Sequence, residues 1–435
     1  MRPALIPLEK ARSIVAFALA GRSGSGAVTE GAPMVPILQD AAPADVGLSA
    51  AGLERIDAWL GSLIEAGELA GAVTLVARHG KRVHRSALGL KDIAAGEALG
   101  PGDIFRIFSM TKPVTAAGMM ILHDEGRWTV DDPIAAHLPE FADVRGPDGA
   151  PPVHPPTLGE LMTHTAGFGY GIGPGPHDAI DKGYIAAGVW QADNLADFAR
   201  KVAARPLAYP PGTAWRYSLS MDLQGAIIER LTGESLPDFM RERIFKPLGI
   251  VDTDFTVAAE TLPRLATLYH KYGVDRLTVL DHPAFARDPL VVPKLPSGGG
   301  GLYSTADDYA RFAQMLLNGG ELGGVRILSS EAVALMTANH LPDAIIGGGF
   351  GVGMQAIGPG RGYGFNGAVF HDPALAGAPV GRGTYQWDGA AATWFWIDPQ
   401  NDLLFVGLVQ RMLQEGMPTL QATTQSLIAD ALIGH

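Results

Sequence analysis

The sequence predicts an α+β fold in which an antiparallel sheet is assembled from both ends of the chain, flanked by N- and C-terminal helices and interrupted by a mostly helical insertion. Three observations carry this. A helical repeat followed by a hairpin pattern opens the chain, strand patterns followed by a helical repeat close it, and helical patterns dominate the middle.

The opening helix rests on Leu53, Ile56, Leu60, Leu63 and Ile64, which recur at helical spacing behind a capping Ser49. Residues 71–78 and 81–88 are β-rich runs separated by His79-Gly80, the pattern of an antiparallel hairpin. Towards the end, residues 384–387, 393–397 and 403–409 read as strands, the last two joined by a turn at Asp398-Pro399-Gln400-Asn401-Asp402. A helical pattern over residues 419–433 closes the chain. Glycine clusters at 297–301 and 347–353 mark loops or close backbone approaches. The resulting division is an N-terminal extension or signal segment (1–43), an α/β domain with an antiparallel sheet (44–128 and 290–435) and a mostly helical domain (129–289).

Composition narrows the function. With 435 residues, 47% apolar and 18% charged, the chain has material for a large core and reads as a folded, soluble protein. A formal charge of −12 without a long basic run gives no reason to expect nucleic acid or an anionic membrane as partner, and it disfavours anionic substrates. The absence of cysteine excludes disulfides, thiolate metal sites and a thiol nucleophile. Arg2, Lys10 and Arg12 precede a short apolar run ending in Ala18-Leu19-Ala20. If residues 1–20 are a cleavable signal the protein is periplasmic or secreted, and otherwise cytoplasmic.

Three segments are candidates for chemistry. Ser109-Met110-Thr111-Lys112 opens a helical stretch running to Gly126, and Pro113 restricts it to the first turn because proline lacks an amide hydrogen. Ser109 and Lys112 then share a face, with free helix N-terminal amides nearby, an arrangement suited to an activated nucleophile. An N-capping serine with a solvent-facing lysine would give the same pattern. Tyr217-Ser218-Leu219-Ser220-Met221-Asp222 follows the turn at Tyr209-Pro210-Pro211-Gly212, where a phenol can relay a proton or simply pack half-buried with its hydroxyl tethered, and where Asp222 reads first as a cap for the next helix and second as a group that orients polar groups in the site. In Trp387-Asp388-Gly389-Ala390, Gly389 would let a substrate lie against the strand, and a backbone amide there would join that of Ser109 in an oxyanion hole; core packing is the plain alternative.

Taken in order, these motifs resemble the serine β-lactamase and penicillin-binding-protein group, and most closely the family VIII carboxylesterases. The likeness runs from about Leu48 to the C-terminus and includes Phe105-Arg106-Ile107, Asp131-Asp132-Pro133-Ile134, Leu161-Met162-Thr163-His164-Thr165-Ala166-Gly167 and Lys246-Pro247-Leu248-Gly249. It implies a serine β-lactamase-like fold and an acyl-enzyme on Ser109. Lys112 and Tyr217 would handle protons, the Ser109 and Ala390 amides would form the oxyanion hole, and Trp387, Gly389, Leu219 and Asp222 would lie against a small-molecule ester, with no cofactor or metal. Where β-lactamases carry asparagine and lysine this chain has Leu219 and Trp387, which removes the anchor for an anionic β-lactam and favours a neutral ester. The esterase Trp-Gly-Gly is Trp-Asp-Gly here, so Asp388 adds a charge.

The expectation is therefore a carboxylesterase for short-chain neutral esters. Its alternatives are a β-lactamase, a D-aminopeptidase or acyltransferase of the same fold, or a silent binding protein. No Gly-x-Ser-x-Gly exists to support an α/β-hydrolase. His164 fits loop hydrogen bonding better than direct catalysis, and no His-Glu-x-x-His suggests a metal.

Overall fold

The computed structural model describes residues 38–433 apart from 173–177, 272–275, 283–284, 286, 348–349, 353–354 and 415. The candidate signal segment and several glycines of the 347–353 cluster lie outside the described residues. Among the described residues, no helix is long and apolar enough to cross a membrane.

Helix α1 (Ala50–Glu65) starts where expected, with Ser49 accepting the Gly52 amide. Strands β2 (Gly71–Arg78) and β3 (Lys81–Asp92) form the hairpin, turning through His79 and Gly80, both at positive φ. Before them, β1 (Gln39–Asp40) pairs in parallel with the start of β3, so residues assigned to a loose extension form the sheet edge. A short β4 (Glu97–Ala98) pairs with the end of β3.

The C-terminal strands are β5 (Arg361–Tyr363), β6 (Ala368–Phe370), β7 (Thr384–Asp388), β8 (Trp394–Asp398) and β9 (Leu403–Leu408). The nine-stranded sheet has the order β1-β3-β2-β9-β8-β7-β6-β5, with β4 beside β3, and apart from the β1 pairing it is antiparallel. Its centre is the β2–β9 pair, which joins the two ends of the chain in the register Val73↔Leu408 to Arg78↔Leu403.

Alternation of side chains buries both faces. Ala72, Val76, Trp394, Trp396 and Phe405 pack with Leu53, Ile56 and Leu60 of α1 and Leu420 and Ile428 of the closing helix α6 (Leu420–Ala431). Val73, Leu75, Phe395, Ile397 and Val406 point the other way, into the larger core with α2 (Thr111–Asp124) and α5 (Ala306–Leu317). Full burial of a side chain such as Phe395 or Phe405 stabilises by about 1.5–3 kcal/mol. Between α2 and α5 the chain runs mainly in short helices, among them α3 (Leu158–Met162), opened by a Thr157/Glu160 capping box, and α4 (Ser220–Thr232).

Candidate active site

Ser109 sits in a tight turn that feeds α2. Phe108 is held at φ 42°, a strained value for a residue with a side chain, and Phe108–Met110 form one 3-10 turn before α2 begins at Thr111. The glycine loop 297–301 lies along the first turn of α2: Thr115 Oγ1 donates to the Gly298 carbonyl (2.7 Å), and Thr111 Oγ1 accepts the Leu302 amide (3.1 Å). The cluster is a close backbone approach, as its composition indicated.

Ser109, Lys112 and Tyr217 meet. Lys112 Nζ lies 3.0 Å from Ser109 Oγ and donates to the Gly299 carbonyl at 2.5 Å, while Tyr217 OH donates to Ser109 Oγ at 2.8 Å. Lys112 is fully buried, whereas Ser109 and Tyr217 are half-buried. The solvent-facing lysine is thus ruled out. Burial pulls the Lys112 amine down to about 7, against the opposing pull of Asp222 and Asp388. Burial drives Tyr217 the other way, well above the ordinary phenol range; its bond to Ser109 works against that, and Asp388 reinforces it. The amine also lies over the Tyr217 ring at 4.7 Å and the Tyr170 ring at 5.7 Å.

An aromatic wall surrounds the phenol. Trp387 lies 5.9 Å from the Tyr217 ring and 5.3 Å from Tyr363, and Tyr170 meets Tyr217 edge-on at 5.2 Å. Trp387 Nε1 and Tyr363 OH are buried with no well-formed hydrogen bond among the described residues, yet the indole dipole still favours the Tyr217 phenolate. Both polar atoms belong to the wall around the phenol.

Gly389 has a different reason from the one its motif suggested. A Cβ there would collide with Thr393 Oγ1 and with the Ile107 carbonyl oxygen, so the glycine lets the end of β7 press against the Ser109 turn rather than making room for a substrate. Thr393 Oγ1 donates to the same carbonyl at 3.2 Å. The contact brings Ala390 to the Ser109 turn, and neither the Ala390 nor the Ser109 amide donates to a backbone carbonyl among the described residues.

Asp222 is not a cap. It is the third residue of α4, whose first turn has no side-chain cap, and its buried carboxylate reaches out to accept from Ser297 Oγ (2.6 Å) and the Gly299 amide (3.2 Å). Burial raises its pKa, against the pull of Ser297 and Lys112. Asp222 therefore steadies the loop whose Gly299 carbonyl holds Lys112. Leu219 has no exposed surface and packs in the core, so its side chain offers no free face for the ester contact expected of it.

Two residues outside the expected set also converge here. Asn366, at φ 59° in the β5–β6 turn, donates to the Lys112 carbonyl (3.0 Å) and pairs with Gln224 of α4, and all of these groups are buried. His164 packs 4.9 Å from the Tyr217 ring.

The chain as a whole has counterparts among known proteins. The family profile described as Beta-lactamase matches residues 56–429. The chain belongs to the beta-lactamase family. Within it, the chain is 36% identical to the esterase EstB of Burkholderia gladioli over 81% of its own length and 89% of that protein. It is 37% identical to protein Rv1367c of Mycobacterium tuberculosis over 82% of this chain and 90% of that one. Among solved structures, EstCE1, described as a hydrolase with promiscuous acyltransferase activity, superposes with a TM-score of 0.74 at 28% identity, covering 88% of this chain and 99% of the other. The resemblance to family VIII carboxylesterases and the β-lactamase-like α+β fold are both borne out.

Proposed function

We infer that this beta-lactamase-family protein is a serine carboxylesterase acting on short-chain neutral esters through an acyl-enzyme on Ser109. The observation that carries the reading is the pair of contacts on Ser109 Oγ, one from an amine and one from a phenol, at 3.0 and 2.8 Å. Their opposed pKa shifts divide the labour. A phenol held well above its ordinary range keeps its proton and donates it, whereas an amine brought down to about 7 is partly neutral near neutral pH and takes one.

In acylation, the Ser109 Oγ–H passes its proton to Lys112 Nζ as the oxygen attacks the ester carbonyl. The oxyanion is held by the amides of Ser109 and Ala390. Collapse breaks the C–O bond to the alcohol, which leaves with the Tyr217 proton, and the phenol is restored from Lys112. Water then repeats the sequence on the acyl-enzyme and releases the acid. Trp387 supports an ester over a β-lactam: it stands at the motif position where, by the family resemblance, β-lactamases carry a lysine for the substrate carboxylate.

The test is turnover of p-nitrophenyl acetate and butyrate, followed by intact-mass and peptide mapping after reaction with a serine-directed phosphonate. Ester hydrolysis with the label on Ser109 is expected. Faster hydrolysis of a chromogenic cephalosporin, or labelling elsewhere, would overturn the reading.

A further inference from the structure

The proton-donor reading of Tyr217 demands that its hydroxyl stay within hydrogen-bonding range of Ser109 Oγ while its ring is held largely by packing. The backbone on both sides of Tyr217 is gripped by a single residue. His164 carries φ 61°, a left-handed value uncommon for a residue with a side chain. Its carbonyl oxygen accepts the Arg216 amide at 3.1 Å and the Tyr209 hydroxyl at 3.0 Å. Its Nδ1 accepts the Ser218 amide at 3.1 Å and lies 2.8 Å from Ser218 Oγ, which continues to Ser220 Oγ at 2.7 Å in the first turn of α4. The residue before Tyr217 is held by the main chain of His164 and the residue after it by the side chain.

We propose that His164 is the positioning residue for the Tyr217 phenol, a clamp that fixes the chain at 216 and 218 and packs the imidazole against the phenol between them. This rests on the proton-donor reading of Tyr217. His164 is 1% exposed, with Tyr217, Trp215 and Tyr363 rings at 4.9, 5.3 and 5.5 Å, so the ring has no room to turn away. Because Nδ1 accepts an amide N–H, the ring proton sits on Nε2 and the imidazole is neutral. Burial, and then the nearby Lys112, hold its pKa well below the ordinary imidazole range, which favours the neutral ring that accepts the Ser218 amide. The unusual φ serves the same end: it turns the carbonyl to Arg216 and Tyr209 while the side chain faces Ser218. His164 makes no hydrogen bond to Ser109 or Lys112, so it acts through Tyr217.

A double-mutant cycle on steady-state ester hydrolysis tests this. His164→Phe keeps a ring of similar size but removes the Nδ1 acceptor, and it is expected to lower kcat by about 10- to 100-fold with KM changed by less than about threefold. In a Tyr217→Phe background the same change is expected to cost less than about threefold, because there is no phenol left to misplace. Equal fold-losses in the two backgrounds, or no loss in either, would overturn the clamp. Should His164→Phe not fold, His164→Asn and His164→Gln decide. Asparagine tolerates positive φ and keeps an acceptor near the Nδ1 position, so it is expected to retain at least about tenfold more kcat than glutamine, whose acceptor lies one bond further out. Equal activity in those two variants overturns the proposal. Tyr217→Phe with unimpaired kcat would instead sink the proton-donor reading beneath it, an outcome separately visible in the same cycle.

Discussion

Lys112 Nζ donates a 2.5 Å hydrogen bond to the Gly299 carbonyl oxygen, tying the amine to the same loop that the Asp222 carboxylate holds through Ser297 and the Gly299 amide. An amine sealed in this way is costly to charge, and that cost has a pH signature. The buried lysine has its pKa lowered from 10.5 to about 7, so the unfolded chain binds more protons than the native one between these values. The destabilisation is full below about 7 and fades as pH rises towards 10.5. Lys112→Met is therefore expected to abolish ester hydrolysis while melting at a higher temperature than the parent at pH 6, with the gap shrinking by pH 9.5. Differential scanning calorimetry at the two pH values checks it, and a gap that does not change with pH would contradict the neutral-lysine reading.

On the proposed mechanism the same amine sets the acid limb of activity. Its neutral form takes the Ser109 proton, so kcat/KM should rise with pH through a midpoint near 7. Asp388 holds that midpoint up by favouring the ammonium. Asp388→Asn should move the acid limb to lower pH, and a pH–rate profile showing an upward shift would contradict the assignment.

Tyr217→Phe keeps the ring that packs against Trp387 and Tyr170 but removes the donor to Ser109 Oγ. Loss of a positioned general acid costs typically 10²–10⁴-fold, so acylation should slow by about that factor with little change in melting temperature. Stopped-flow acylation by a chromogenic ester measures it, and a loss below about fivefold would remove the phenol from the mechanism.

Gly389→Ala sets a methyl group against the Ile107 carbonyl and Thr393 Oγ1. Backbone cannot yield as a flexible side chain does, so we expect destabilisation of about 1–3 kcal/mol and a fall in kcat as the Ser109 turn shifts. A substrate-clearance role would predict instead an unchanged melting curve with a raised KM.

Asn366→Ala strips the Lys112 carbonyl and Gln224 of a buried partner at once. The expected loss is about 1–3 kcal/mol, read from urea unfolding. A neutral result would mean that Gln224 finds another partner.

Much of this was legible in the sequence where a local pattern encodes it. The capping Ser49, the His79-Gly80 turn and the apolar run at Trp394-Phe395-Trp396 are short-range signals, and each element forms close to its expected place. Ser109 and Lys112 were visible because one helical turn relates them, and Tyr217 because the ordered motifs match a family. The remainder depends on contacts between residues far apart in the chain that no periodicity records. Asp222 looks like a cap by its place after a turn, and only the approach of the 297–301 loop turns it inward. Gly389 owes its identity to Ile107, and Asn366 to Lys112 and Gln224. His164 was read as a loop hydrogen-bonder, which it is; that its bonds straddle Tyr217 required the fold.

The central pairing of β2 with β9 has a consequence for biosynthesis. Val73 must wait for Leu408 before the strand beside it exists, so on the ribosome the first hairpin emerges with one hydrogen-bonding edge open while nearly the whole remaining chain is made. The Ser109 turn is in the same position, since the Gly389 strand end that presses on it also arrives late. A nascent chain stopped short of β9 thus carries Ser109, the proposed nucleophile, but neither the complete sheet nor the strand end that presses on the Ser109 turn.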